Sequence, residues 1–287
     1  MSERRGSASR LAWALLAGVT CGLMAAGPAG AAEPARPYVF AVIPHAPPVV
    51  VSARWSPIVE RISRESGVPL KMKLYAGIAA FDSDLAAGVP DFAFLHPEQA
   101  TRAHRKAGYR PLVRDSDALQ AVLFVRRDSP YTSVSSLAGR EVALMGEWSF
   151  CSIVLRHELA SFGIVPRYVG TPANAYKQVV VGMVPAGGAL DQNLGDASPE
   201  ERQKLRVVYQ TQPLASHPLV AHPRVPREVT DRITATVLAL ARTESGSQLL
   251  RTIGLRTPVQ ADYERDYVPV ERLLSDAATA KPAERSR

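Results

Sequence analysis

The residues best suited to chemistry fall in four short segments, each placed after a strand-like run and before a helical one. They are Pro44-His45-Ala46-Pro47, Leu95-His96-Pro97-Glu98-Gln99, Trp148-Ser149-Phe150-Cys151-Ser152 and Thr171-Pro172-Ala173-Asn174-Ala175-Tyr176. The first turn of a helix leaves its N–H groups without intrahelical partners, and those groups can hold an anion. Ser149 is placed to cap such a turn, with the amides of Phe150, Cys151 and Ser152 behind it. In the second segment the amides of Gln99 and Ala100 take the same place. His45 and His96 follow buried strands, and an imidazole there can change charge near neutral pH. Asn174 and Tyr176 offer donors at the fourth segment, and Gln120 offers one at a chain crossing. Each has a plainer reading alongside. His45 is then a solvated loop residue, and His96 a cap or a buried hydrogen-bonded imidazole. Ser149, Thr171 and Asn174 serve only as caps. Trp148, Phe150 and Tyr176 then pack the core, the usual fate of aromatics.

The same residues argue against catalysis. Cys151 sits near a helix start, where a thiol can become acidic. His157 is six residues on, which puts it on another face of the helix. The sequence has no Cys-x-x-Cys or His-x-x-x-His pair, no Gly-x-Ser-x-Gly elbow and no phosphate-binding Gly-rich Lys-Ser/Thr loop. The expectation is a binding protein with no catalytic residue, no metal and no cofactor.

These segments need elements to position them. Residues 38–43, 69–75, 91–95 and 109–113 read as strands, with helical spacing over 55–65, 81–87 and 98–107 between them. That alternation predicts a largely parallel sheet covered on both faces. Residues 119–126 read as an outgoing crossing to a second set: strands at 141–145, 167–170, 184–189 and 205–209, helices at 150–162 and 173–181. Residues 214–221 return to the first set, followed by helices at 229–241 and 245–253. In such sheets ligands sit outside the carboxyl ends of strands, and with two lobes both sets of ends face one cleft.

The ends of the chain read differently. Arg4, Arg5 and Arg10 precede an apolar run over 11–26, and Ala29-Gly30-Ala31 is a small-x-small cleavage signal. Residues 1–31 therefore read as a cleavable signal peptide, implying export to the periplasm. Beyond it only Cys151 remains of the two cysteines, so no internal disulfide can form and the fold rests on its core. The chain carries 34 Lys+Arg against 27 Asp+Glu, scattered rather than clustered, which suits an anionic ligand and gives no stripe for nucleic acid. Residues 276–287, rich in Ala, Pro and charge, are expected to be disordered.

Two words in this sequence resemble a known family. They are Asp84-Leu85-Ala86-Ala87-Gly88-Val89-Pro90-Asp91-Phe92-Ala93-Phe94-Leu95-His96-Pro97 and Val125-Arg126-Arg127-Asp128-Ser129-Pro130, the second followed by Ser136-Leu137-Ala138-Gly139-Arg140-Glu141-Val142-Ala143. Tyr209-Gln210-Thr211 and Ser216-His217-Pro218 through Val225-Pro226 look like the return crossing. Together they are similar to the periplasmic phosphate/phosphite/phosphonate-binding proteins of ABC importers, of the type II solute-binding superfamily, over roughly 38–254. The resemblance implies an α/β, two-lobed clamshell of type II, each lobe a mainly parallel sheet with helices on both faces. The expected division is 32–121 with 214–275 in one lobe and 122–213 in the other. The resemblance also implies a monomer that captures a small anionic ligand for a membrane permease. A periplasmic sensing subunit for a membrane kinase or a respiratory partner, or an exported enzyme on the same fold, are the alternatives. The family's Ser/Thr-rich turn corresponds to Ser149-Phe150-Cys151-Ser152, where Phe and Cys replace small residues. The stretch where the family often places a His is Thr171-Pro172-Ala173, and an acidic position falls near Pro185.

Overall fold

The computed structural model describes residues 36–279 apart from Trp148 and Asp196. β1 (Tyr38–Val42) forms from the continuous apolar run and pairs on both sides. α1 (Pro48–Ser66) begins well before the expected start at Trp55. Proline at the first helical position loses no hydrogen bond and has its φ already set, so Pro48 starts the helix. Val51, Trp55, Ile58, Val59 and Ile62 make its buried stripe, and Gly67 ends it in the left-handed conformation at φ 65. β2 (Leu70–Lys73), α2 (Ile78–Ala86), β3 (Phe92–Phe94), α3 (Pro97–Ala107) and β4 (Arg110–Asp115) follow.

β5 (Ala121–Arg126) crosses to the second lobe. After a 3-10 turn come β6 (Glu141–Leu144), α4 (Phe150–Glu158), β7 (Val165–Tyr168), α5 (Pro172–Val180) and β8 (Ala186–Leu190). α6 (Asp191–Gly195), α7 (Pro199–Lys204) and β9 (Leu205–Gln210) complete this part. β10 (Pro218–Ala221) returns, followed by α8 (Arg227–Leu240), α9 (Glu244–Thr252), β11 (Pro258–Gln260), a π-helical turn Tyr263–Tyr267 and α10 (Val268–Thr279).

The strands make two sheets, one of six ordered β11-β4-β10-β3-β1-β2 and one of five ordered β7-β6-β8-β5-β9. In the first, β1, β2 and β3 are parallel, and β10 lies antiparallel between β3 and β4. β1 to β4 therefore share one direction, as strand–helix alternation requires. In the second, β6, β7 and β8 are parallel, and β5 lies antiparallel between β8 and β9. The two sheets thus repeat one order, each with a strand arriving from the other lobe inserted fourth. This is the type II two-lobed α/β fold, with sheets that are mixed because the crossing strands β10 and β5, and β11 at the edge of the first sheet, run against the rest.

The crossings lie side by side. Leu119 and Leu214 exchange N–H···O bonds of 2.7 and 2.9 Å, and the Ala121 amide donates to Thr211 Oγ1 at 2.9 Å. One buried apolar cluster runs from the first sheet (Ala93, Leu95) to the second (Leu123, Leu144) and takes in Phe150, Cys151, Tyr267 and Val270. Two others stay within one lobe. Trp55 packs on Phe40 and Phe94 beneath α1, and Phe124 packs on Tyr176 beneath α5.

α10 corrects the reading of the tail. It runs four residues into the segment expected to be disordered, to Thr279, because Val270 is fully buried and Leu273 and Leu274 pack on the shared cluster. It lies against both α3 and α4. Residues 280–287, and the expected signal peptide over 1–31, lie outside the described residues.

Candidate ligand site between the lobes

A cavity of about 80 Å³ lies between the lobes, and its wall is built from helix starts. His96 is the N-cap of α3, Phe150 and Cys151 open α4, and Pro172 opens α5. One of these helices comes from the first lobe and two from the second. Asn193 of α6 and His217, just before β10, add the remaining polar groups. Met145 and Leu190 supply much of the apolar wall.

Local sequence explains each start. His96 has extended backbone and a capping box with Gln99. Ser149 Oγ accepts from the Ser152 amide at 3.3 Å and lies 2.7 Å from Ser152 Oγ and 3.0 Å from the Gly146 carbonyl oxygen. Thr171 Oγ1 accepts from the Asn174 amide at 3.2 Å. α4 sits close on β8 because Gly188 leaves room beneath it: a Cβ there would run into Leu155 Cδ1 of α4, whereas Gly187 lies under α5, where a Cβ would be 3.1 Å from Val179 Cγ2.

The electrostatics are those of a site without a formal positive charge. Among the described residues, no Lys, Arg, Asp or Glu lines the cavity. Burial drives His217 well below the ordinary histidine range, and the neighbouring His96 and His45 lower it further. Its ring meets His96 edge-on at 5.0 Å and stacks on Phe94 at 6.0 Å. Behind His96, Glu98 places Oε1 3.3 Å from Nδ1, and its buried Oε2 has no partner among the described residues. Burial pushes the Cys151 thiol up to about 12, so it is a neutral lining group.

Of the residues expected from sequence, His96, Phe150 and Cys151 meet at this cavity. His45 stands near His96 on the first-lobe side, with Nδ1 3.0 Å from the Ile43 carbonyl oxygen. The surrounding protein, then Arg54 and His96, lower its pKa against that hydrogen bond, which raises it. Ser149 and Ser152 lie one layer behind as the cap. Trp148 lies outside the described residues. The other four serve the framework rather than the cavity wall. Gln99 Nε2 donates to Asp82 Oδ1 at 2.6 Å, and its Oε1 accepts from the His96 amide. Gln120 Nε2 donates across the crossings to the Thr211 carbonyl at 3.1 Å. Asn174 Nδ2 donates back to the Val169 carbonyl at 2.7 Å, and the Tyr176 ring is buried on Phe124. Asn174 thus donates to backbone just before its own helix, the usual competitor for a ligand contact, whereas the Gln99 donor is taken by a side chain of α2.

Two polar groups were missed. His217 precedes a buried strand and so reads as a strand entrance. Only the antiparallel insertion of β10 beside β3 brings it to His96. Asn193 lies three residues past the carboxyl end of β8, close to the kind of position that singled out His96. A larger open groove of about 530 Å³ along α6 and β9 is lined by Arg202, Arg206 and Arg256, and none of the expected residues reaches it.

Two lobes of type II topology with helix starts facing one cavity define a solute-binding architecture. Comparison with known proteins agrees. The sequence matches the family model described as "ABC transporter, phosphonate, periplasmic substrate-binding protein" over residues 40–267. The chain belongs to this family. Among solved structures it is similar to XAC2383 from Xanthomonas citri bound to chloride ion, with 18% identity, TM-score 0.69, and 84% of this chain and 97% of that one covered. It is similar to PhnD1 from Prochlorococcus marinus in complex with methylphosphonate, at 15% identity and TM-score 0.68, covering 85% of this chain and 98% of that one. It is also similar to a binding protein component of an ABC phosphonate transporter from Pseudomonas aeruginosa, at 13% identity and TM-score 0.66, covering 84% and 86%. No protein with a curated description matches the sequence.

Proposed function

We propose that this chain is an exported solute-binding protein that captures a small anion, phosphate- or phosphonate-like in shape, and presents it to the permease of an ABC importer. The observation that carries the reading is the convergence of α3, α4 and α5, from both lobes, on one cavity. A ligand touching both sides binds the closed arrangement better than an open one, and that difference is what a permease can read. In this reading residues 32–121 with 214–275 move against 122–213, and the Leu119–Leu214 bridge marks the hinge. His96, His217, Asn193 and the amides of Phe150 and Cys151 hold the ligand. His45 joins from the rim, and Ser149 and Ser152 fix the turn. The protein acts as a monomer and performs no chemistry on its ligand.

The test is calorimetry and thermal shift against phosphate, phosphite, alkylphosphonates and alkylsulfonates. Saturable binding with a raised melting temperature is expected for at least one, and no response to any of them removes the reading. Mass spectrometry of the protein recovered from periplasm is expected to show a chain beginning after Ala31 or Ala32. A chain retaining residues 1–31 contradicts export by cleavage.

A further inference from the structure

The geometry points to a ligand of one particular class: a compact, singly charged oxyanion bearing a small apolar substituent, bound in preference to a dianion of the same shape. This rests on the reading of the cavity as the ligand site and adds the charge the site accepts.

The positive potential comes from helix starts and neutral donors, not from ions. Each helix N-terminus is worth roughly half an elementary charge. Three of them converge here, so the fixed potential sums to about one and a half charges, enough to balance a single negative charge and short of two. Among the described residues, no Lys or Arg lines the cavity to make up the difference. His96 stands against the Glu98 side chain, with Nδ1 3.3 Å from Oε1, so an acidic group rather than a cation backs its ring. His217 and His45 are both held toward the neutral imidazole, His217 by burial and by its two histidine neighbours. Arg54 is the cation acting on this histidine group, and it lies on the exposed side of α1, beyond the cavity wall. The cost of moving an ion into a low-dielectric space grows with the square of its charge, so a second charge costs far more than the first.

The rest of the wall sets the other half of the class. The side chains of Met145, Phe150 and Leu190 give the cavity an apolar lining, and Cys151 adds a neutral thiol. A fully polar oxyanion would leave some of its oxygens against these groups without partners, which is unfavourable. A methyl or similarly small group fits them, and the volume of about 80 Å³ excludes a long chain.

Methanesulfonate and methylphosphonate test this, because they share a shape and differ in charge. The sulfonate carries one charge throughout the accessible pH range. The phosphonate carries one at mildly acidic pH and two at alkaline pH. Calorimetry on the wild-type protein at both pH values gives four affinities. The sulfonate series reports whatever His45, His96, His217 and Glu98 do as they titrate, so the ratio of the two ligands isolates ligand charge. At alkaline pH the sulfonate is expected to bind at least ~10-fold tighter, and at acidic pH the two are expected to agree within about 3-fold. Equal or tighter binding of the phosphonate at alkaline pH overturns the charge inference while leaving the binding reading intact. Binding of neither ligand at either pH overturns the inference, and if phosphate and phosphite also fail it overturns the binding reading with it. His217→Phe keeps the stack on Phe94 and removes the imidazole N–H. It is expected to weaken methanesulfonate ~10-fold or more, and an unchanged affinity removes His217 from the site.

Discussion

Asp266 anchors the network that holds His217 in place, and its replacement by Asn gives a quantitative test. Asp266 is 6% exposed. Its carboxylate accepts from Arg114 Nη2 at 3.0 Å, from Arg265 Nε at 2.8 Å and Nη2 at 2.7 Å, and from the Asp262 amide at 2.8 Å. Arg114 Nη1 in turn donates to the Asp115 carbonyl at 2.7 Å, which also accepts from Ser216 Oγ at 2.8 Å. Tyr267 OH donates to the Ser216 carbonyl at 2.8 Å, one residue before His217. Removing one member of a buried ion pair costs about 3–5 kcal/mol, mostly because the other charge is left stranded. Arg265, with a side chain 60% exposed, can return to water, whereas Arg114 at 17% cannot. The lower end, about 3 kcal/mol, therefore applies to Asp266→Asn. For a chain of this size that lowers the melting temperature by about 6–12 °C.

The pH dependence follows from the same contacts. Burial alone pushes this carboxyl up, but the bonds from Arg265, Arg114 and the Asp262 amide outweigh it and hold it well below the usual range. A depressed folded pKa contributes stability that is complete above the unfolded value of about 3.9 and is lost as pH falls through the folded value. Urea titrations of wild type and variant should differ by a constant amount from neutral pH down to about pH 5, then converge below about pH 4. A difference under ~1 kcal/mol at neutral pH, or one that persists undiminished in strong acid, refutes the reasoning.

Three further outcomes are expected. Ser149→Ala removes the cap of α4, with an expected loss of about 1 kcal/mol, read by urea denaturation; unchanged stability contradicts the role of the Ser149–Ser152 contact. Cys151 should react with a thiol reagent at least ~100-fold more slowly in the native protein than in urea, since burial keeps the thiol protonated; equal rates contradict its placement. Gly188→Ala inserts a Cβ into Leu155 Cδ1 and Leu144 Cδ2. Its expected cost is about 1–3 kcal/mol with weaker ligand binding, because α4 is lifted from β8; a neutral substitution refutes the close approach.

The two-lobed plan was legible because it rests on local signals: strand–helix alternation, and apolar runs at 119–126 and 214–221 that become β5 and β10. Helix starts were legible where a cap residue announces them, as at Ser149 and Thr171. α7 was overlooked although its Ser198-Pro199-x-Glu201 box carries both the cap and the proline. α10 was overlooked because its Ala-rich end resembles a disordered tail, and only packing on α3 and α4 gives it a reason to be helical. The cavity wall was partly legible: His96, Phe150 and Cys151, expected from the rule that ligands gather at the carboxyl ends of strands, line it. His217 was not, since its proximity to His96 comes from pairing between β10 and β3, distant in sequence. Gln99, Gln120 and Asn174 lie off the cavity wall, since Gln99 donates to Asp82 and the other two donate to backbone carbonyls.

The most direct test of the central claim is a crystal structure of the protein grown with methanesulfonate. The oxyanion is expected between the lobes, with its oxygens on the amides that open α4 and on the imidazoles of His96 and His217, and its methyl group toward Met145 and Leu190. An anion seated instead in the open groove of Arg202, Arg206 and Arg256, with the interlobe cavity filled only by water, would contradict the account.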